Sequence, residues 1–339
     1  MLRVAGRGSG PAPLSTKLGR GPMPPSDWKN RPGAGNRLHG PCLRHPVPRE
    51  AGITTAAVET PSGKGSGDEN FPVGSFLLPA PLRPHVATFY AYARAIDDIA
   101  DNPDLAPDDK VRRLDGFDRT LQGDAPDDVA FAKAVAIRES LRATGVPVQH
   151  CRDLITAFKR DATKLRYDDW DDLMGYCYLS AAPVGRYLLD LHGEDRAGFP
   201  ASDALCNLLQ VLNHLQDCKD DYLNLDRVYL PQDWMGAHGA TVADLDRPSA
   251  GAGLRRVIDL CLDGVEGLLV EARRLPGQLK SRRLAMESAA IVSLAESLTA
   301  MLRRRDPLAE RVELSRPAFL LCCLRGVGRV LRPGGQRAA

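Results

Sequence analysis

The chain has 339 residues, enough for one large domain or two small ones with a sizeable core. With 43% hydrophobic residues, 26% charged residues and a formal net charge of +2, it lacks the global basic footprint of a nucleic-acid-binding protein. Its eight cysteines (Cys42, Cys151, Cys177, Cys206, Cys218, Cys261, Cys322 and Cys323) form no CxxC pair and no zinc spacing with histidine, which reads as the reduced thiols of a cytoplasmic chain.

From Met1 to about Lys64 the text ("GRGSGPAPLSTKLGRGPMPP") is rich in Gly, Pro and Arg, nearly free of acids before Glu50, and without hydrophobic period. Residues 1–65 are expected to be a disordered tail. Their Arg-rich, acid-poor composition also suits a transit peptide, although the apolar core of a secretory signal is absent. After "GSGDENFP" Leu, Ala and charged residues recur at helical spacing and strand-type alternation is scarce, so residues 66–335 are expected to form one all-α domain. Turn signals delimit helices at roughly 85–101, 107–121, 128–144, 147–163, 170–191, 202–224, 251–275, 278–302 and 308–325. The longest C-terminal apolar run, "PAFLLCCL" at 317–324, is well short of the ~20 residues that span a bilayer, which leaves peripheral contact as the form of membrane association the chain could have.

Two of these helices carry acidic stripes. In "FYAYARAIDDIADNP" (89–103) Asp97 and Asp101 stand four apart on one face, with Asp98 beside them. In "QVLNHLQDCKDDY" (210–222) Asn213, Asp217 and Asp221 repeat the spacing, beside Asp220. Most charge runs are solvated faces. Here Phe89, Tyr92, Ile96 and Ile99 surround one stripe and Leu208, Leu212 and Leu215 the other, so both helices should be largely buried and their carboxylates need cations. Mg²⁺, which takes carboxylate oxygens and bridges to substrate phosphate, fits best. Facing stripes of this kind suit the ionisation of a diphosphate ester: metal neutralises the leaving group, and an apolar, aromatic-lined cavity shelters the carbocation left behind.

Together these segments resemble the squalene and phytoene synthases. "FYAYARAIDDIAD" is similar to the family's first aspartate motif, with Tyr90 and Arg94 ahead of Asp97 and Asp101; "QVLNHLQDCKDDYLNLDRVYLPQD" is similar to the second, with Gln210, Asn213, Asp217, Asp221 and Arg227; "YCYLSAAPVGRYLL" (176–189) resembles the segment carrying a catalytic tyrosine, here Tyr176. The resemblance implies an isoprenoid synthase fold with a central cavity between helices. It also implies Mg²⁺ held by Asp97, Asp101, Asn213, Asp217 and Asp221, and substrate contacts from Ser75, Phe76, Tyr90, Arg94, Gln210, Asn213 and Arg227.

The chain departs from the family at Gln216, where most relatives have Arg; at Val73-Gly74-Ser75-Phe76, in place of Ser-x-Ser-Phe; and at Ser180-Ala181-Ala182, in place of Val-Ala-Gly. Lost contacts to a second diphosphate are one reading of these changes. "ENFPV", "SAAPVGR" and "NHLQDC" resemble the hydroxysqualene synthase branch, which implies that presqualene diphosphate is ionised, rearranged and captured by water, in functional coupling to other squalene-pathway enzymes. No GxGxxG follows a strand, which fits water ending the reaction. The rivals are a condensing enzyme joining two prenyl diphosphates and a non-catalytic, prenyl-lipid-binding assembly factor.

Single residues carry more than one reading. Arg94 could pair internally with Asp97 or contact diphosphate, which its bidentate geometry favours. Arg227 and Lys164 are expected to be weaker candidates, as solvated basic side chains near loops. His214 reads as packing; Asp161 and the Arg166-Tyr167 pair have no assignable role. Phe71, Phe76, Phe89 and Tyr178 line either the cavity or the core.

Overall fold

The structure is a computed structural model that describes residues 58–59, 78–124 and 128–331. All of these belong to one compact unit. Of the expected disordered tail only Val58 and Glu59 are described, and they are held on the domain: the Val58 amide donates to the Ala130 carbonyl at 3.2 Å, and buried Glu59 pairs with Lys133 at 2.9 Å, so this short piece departs from the expected disorder. The rest of the tail, its boundary at 65/66, Phe71, Ser75, Phe76 and the Val73-Gly74 departure lie outside the described residues.

The first half is a run of helices that pack on one another: α1 (Arg83–Asp101), α2 (Pro107–Gln122), α3 (Ala132–Thr144) and α4 (Gln149–Thr163). Pro84 and Pro107 sit in first turns, where no amide is needed, and Gly123 (φ 80°) and Gly145 (φ 72°) close α2 and α3 in the left-handed conformation. A short strand β1 (Arg166–Tyr167) precedes α5 (Trp170–Ser180) and α6 (Ala182–Leu191). The single helix expected over 170–191 is thus two. Pro183 has no amide to donate back to the Leu179 carbonyl, and Ala181 leaves the helical region at φ −122°, ψ −48°.

The expected helix 202–224 is likewise divided, into α7 (Phe199–Gln216) and α8 (Cys218–Leu225), with Asp217 at φ −104°, ψ 7° between them. Strand β2 (Val228–Pro231) then pairs in parallel with β1, and a short α9 (Gln232–Ala237) follows; neither was expected from an all-helical reading. The chain ends its described part with α10 (Ala252–Ala272), α11 (Leu275–Gln278), α12 (Arg282–Leu302) and α13 (Arg316–Leu331). The last begins later and runs further than the expected 308–325, because Pro317 suits a first turn and not an interior.

Two apolar cores result. One joins α1 to α4 and takes Tyr187 and Leu191 from α6; the other gathers α5, α7, α10, α12 and the strands, and takes Leu189 from the same α6. Helix α7 is the axis of the second core, with 14 of its 18 residues buried. Gly185 of α6 lies against Ser202 and Cys206 of α7, where a Cβ would collide with both side chains, so α6 and α7 pack at close range. Helix α12 is, among the described residues, the helix long and apolar enough to cross a membrane, but 61% of its apolar window is buried inside the fold. Among the described residues all seven cysteines are free thiols.

Between the cores runs an apolar cleft whose free volume, open mouth included, is about 1130 Å³. Val86 and Phe89 of α1, Val184 and Leu188 of α6, Leu205 and Leu209 of α7, and Leu284 and Ile291 of α12 form its walls.

Candidate active site

The acidic stripes of α1 and α7–α8 converge. Asp97, Asp101, Asn213, Asp217 and Asp221 line one polar pocket of about 350 Å³, together with Asp161, Tyr176, Gln210, His214, Arg227 and Tyr229. Asp97 and Asp221 are buried, Asp101 and Asp217 half-buried. The bend at Asp217 does not scatter the second stripe, since the Asp217 amide still donates to the Asn213 carbonyl (2.9 Å) and the Asp221 amide to that of Asp217 (2.8 Å).

Arginines balance the first stripe. The Arg94 guanidinium lies 3.0 Å from Asp97 and 2.9 Å from Asp98, and it lines neither cavity. Arg227, expected to be solvated, is only 4% exposed. It pairs with Asp101 at 2.6 Å and donates to the backbone carbonyls of Ala100 (2.8 Å) and Asp161 (3.1 Å). Asp226, in the left-handed conformation at φ 51°, turns the chain so that Arg227 enters the interior. Burial alone would lower the Arg227 pKa, but Asp161 and the neighbouring Tyr229, Tyr176 and Asp221 outweigh it and raise it, so the guanidinium stays charged.

Asp161, which had no assignable role, holds two phenols. It accepts from Tyr176 (2.6 Å) and Tyr229 (2.9 Å). Burial, then Asp161, pushes the Tyr176 pKa well above its ordinary value, so the ring keeps its proton. His214 does more than pack: its ring stacks on Tyr229 at 3.6 Å, its Nδ1 lies 4.0 Å from Asp221 Oδ2, and its Nε2 lies 3.2 Å from Gln210 Nε2. The parallel pairing of β1 with β2 places Tyr167 against Tyr176 and Tyr229, closing an aromatic wall behind the pocket.

Gln210 lines both the polar pocket and the apolar cleft, so the two cavities meet at α7. Tyr90 lines the cleft, as does Phe89, which stacks on Tyr187 at 3.9 Å. Tyr178 does not line it: the ring is 47% exposed under the Arg186 guanidinium. Lys164 pairs with Asp172 at 2.7 Å, away from the pocket. Gln216 lines neither cavity and donates to the Val312 carbonyl at 2.6 Å.

Among the described residues, five carboxylates and one guanidinium line the polar pocket. Such a wall repels an anion unless cations enter with it. Its donors are carboxylate and amide oxygens, yet among the described residues no three acidic, His or Cys side chains converge into a cage able to hold an ion unaided.

The family model for squalene/phytoene synthase matches residues 65–318, three quarters of the chain and the whole of both cavities. The chain belongs to the squalene/phytoene synthase family. Two relatives are hydroxysqualene synthases. That of Sinorhizobium fredii (strain NBRC 101917 / NGR234) is 43% identical over 271 residues, covering 80% of this chain and 91% of its own. That of Rhodopseudomonas palustris (strain ATCC BAA-98 / CGA009) is also 43% identical over 271 residues, covering 79% and 90%. The crystal structure of squalene synthase HpnC from Alicyclobacillus acidocaldarius superposes with a TM-score of 0.60 at 36% identity, over 69% of this chain and 88% of that one. A dehydrosqualene synthase in complex with ligand shares the fold, with a TM-score of 0.66 at 20% identity over 76% and 90%. As a squalene/phytoene synthase the chain is an enzyme of isoprenoid biosynthesis, and its all-α architecture is the one expected.

Proposed function

We propose that this enzyme converts presqualene diphosphate to hydroxysqualene with Mg²⁺. The observation that carries the reading is the junction at Gln210 of an acid-lined polar pocket with a long apolar cleft: one end suits a diphosphate brought in with cations, the other a hydrocarbon. The hard oxygen donors fit Mg²⁺, which uses a few carboxylates and keeps water and substrate phosphate as its other ligands. Asp97 and Asp101 on α1 and Asn213, Asp217 and Asp221 on α7–α8 would hold it, and it would supply positive charge to the leaving diphosphate.

The chain's own residues do the rest. Arg227 fixes Asp101 and the end of α1 opposite α8. Asp161 orients Tyr176 and Tyr229 as a polar wall at the leaving-group end. When the C–O bond of the ester breaks, its electron pair leaves with the diphosphate, and the carbocation remains among the apolar side chains of the cleft, shielded from bulk water. Phe89 offers it a ring face, and Tyr90 lies in the same wall.

Purified protein should release diphosphate from presqualene diphosphate without a nicotinamide cofactor and yield an alcohol carrying oxygen-18 from labelled water. Efficient dimerisation of farnesyl diphosphate, with presqualene diphosphate untouched, would replace this reading by the condensing one. Binding of prenyl diphosphate without turnover would favour the assembly-factor reading.

The product is an insoluble hydrocarbon alcohol, and α13 offers a place for peripheral lipid contact. Its outward Leu320, Leu321 and Leu324 are each more than half exposed, and its sequence contains three arginines and no acid. Co-sedimentation with anionic vesicles, lost in a Leu320→Ser/Leu324→Ser variant, tests this contact. Catalysis on a cytoplasmic membrane surface would place the enzyme beside other squalene-pathway enzymes.

A further inference from the structure

Buried carboxylates in this fold are paired. Asp97 and Asp98 take Arg94, Asp203 takes Arg186 at 2.6 Å, and Glu194 accepts from the Lys280 and Ser281 amides at 2.7 Å. Glu287, which is partly buried, is different. It projects from α12 into the apolar cleft, where it is the one carboxyl group among the described lining residues, and among the described residues no cation or hydrogen-bond donor engages it. Burial pushes its pKa up to about 7, with no charged neighbour contributing.

A second group in the same cleft is also unsatisfied. Ser180, at the break between α5 and α6, is fully buried, and its Oγ has no partner among the described residues. Native interiors leave few polar groups unpaired, and those that remain mark an ordered water, a ligand or a catalytic role. The walls around these two groups are mostly hydrocarbon, and the other polar side chains of the cleft, Tyr90, Ser202, Gln210 and Ser288, form no hydrogen bond to either of them. A carbocation in such a cleft, meanwhile, can be captured by water only if a water is admitted and anchored there by polar atoms.

We propose that Glu287 is the general base for water capture of the carbocation, with Ser180 helping to hold that water. This rests on the hydroxysqualene reading. A lone pair of the water oxygen forms the C–O bond to the cationic carbon, and the oxonium proton passes to the Glu287 carboxylate, giving a neutral alcohol and a carboxylic acid. The acid then loses its proton to solvent when the cleft empties. No oxidant, reductant or further co-reactant is needed.

The test compares wild type, Glu287→Gln, Glu287→Asp and Ser180→Ala, each with presqualene diphosphate and Mg²⁺ in oxygen-18 water, measuring diphosphate release and product distribution separately. Glu287→Gln should continue to release diphosphate while the alcohol share of product falls about tenfold or more, with hydrocarbons formed by proton loss taking its place. Glu287→Asp should restore part of the alcohol share, and Ser180→Ala should lower it less than Glu287→Gln does. An unchanged alcohol share in folded Glu287→Gln overturns the proposal. So does an equal loss of diphosphate release and alcohol, which would place Glu287 at the ionisation step. Should Glu287→Gln fail to fold, an alcohol share in Glu287→Asp and Ser180→Ala equal to wild type overturns it. A wild type that releases no diphosphate from this substrate fails the functional reading instead.

Discussion

Arg227 ties three chain segments together through one guanidinium: the Asp101 carboxylate and Ala100 carbonyl at the end of α1, and the Asp161 carbonyl near the end of α4. Removing it takes the guanidinium away from a half-buried carboxylate and two carbonyls, and Arg227→Ala should lower the unfolding free energy by about 3 kcal/mol in urea titrations. Asp101→Ala should also destabilise, by roughly 1–3 kcal/mol, because a buried guanidinium loses its counterion. This differs from what like-charge spacing on α1 alone suggests, where losing a carboxylate relieves repulsion. Glu287 has the opposite sign. Its native pKa of about 7 exceeds the unfolded value of about 4.3, so between these values the native state binds more protons, and stability falls as pH rises. Glu287→Gln should remove that slope and be more stable than wild type by roughly 1–3 kcal/mol at pH 8, with no gain at pH 4, as read by paired melting curves. A carboxyl that lowers stability and is nonetheless present in the cleft fits a role in chemistry.

At the scale of elements, two breaks shape the site. Pro183 ends α5 and leaves Ser180 at a helix terminus on the cleft wall, and the bend at Asp217 starts α8 with Asp221 still on the pocket side. The periodicity of both regions is continuous across these points, which is why each reads as one helix until the backbone is seen. Close packing matters as much. Gly326 of α13 rests on the Ala289 and Ala290 backbone of α12, two residues beyond Glu287. Any side chain there pushes α13 away, and Gly326→Val should cost about 1–3 kcal/mol and expose α13 to limited proteolysis before the rest of the fold opens.

At the scale of the whole molecule, two cores separated by a cleft and joined through α6 and α7 create the pair of cavities. The polar one lacks a closed cage among the described residues and is lined by an excess of carboxylates, so cation and diphosphate should depend on each other for binding. Mg²⁺ and inorganic diphosphate together should raise the melting temperature by several degrees, and more than the sum of either alone; at 100 times the dissociation constant the linkage is worth about 2.7 kcal/mol. Chelation should stop turnover and Mg²⁺ should restore it. The acidic stripes, the tyrosine segment and the helical class were legible from the chain because each is a local pattern: spacing along a helix, composition between turns, residue type within a short segment. Arg227 with Asp101, 126 residues away, was not legible, and neither were the two phenols gathered by Asp161, the turn of Gln216 toward Val312 or the entry of Glu287 into the cleft. Each of these depends on which side chains the packed helices bring together, and a solvated and a buried arginine, or a surface and a cleft glutamate, look alike until packing decides what remains beside them after water is removed.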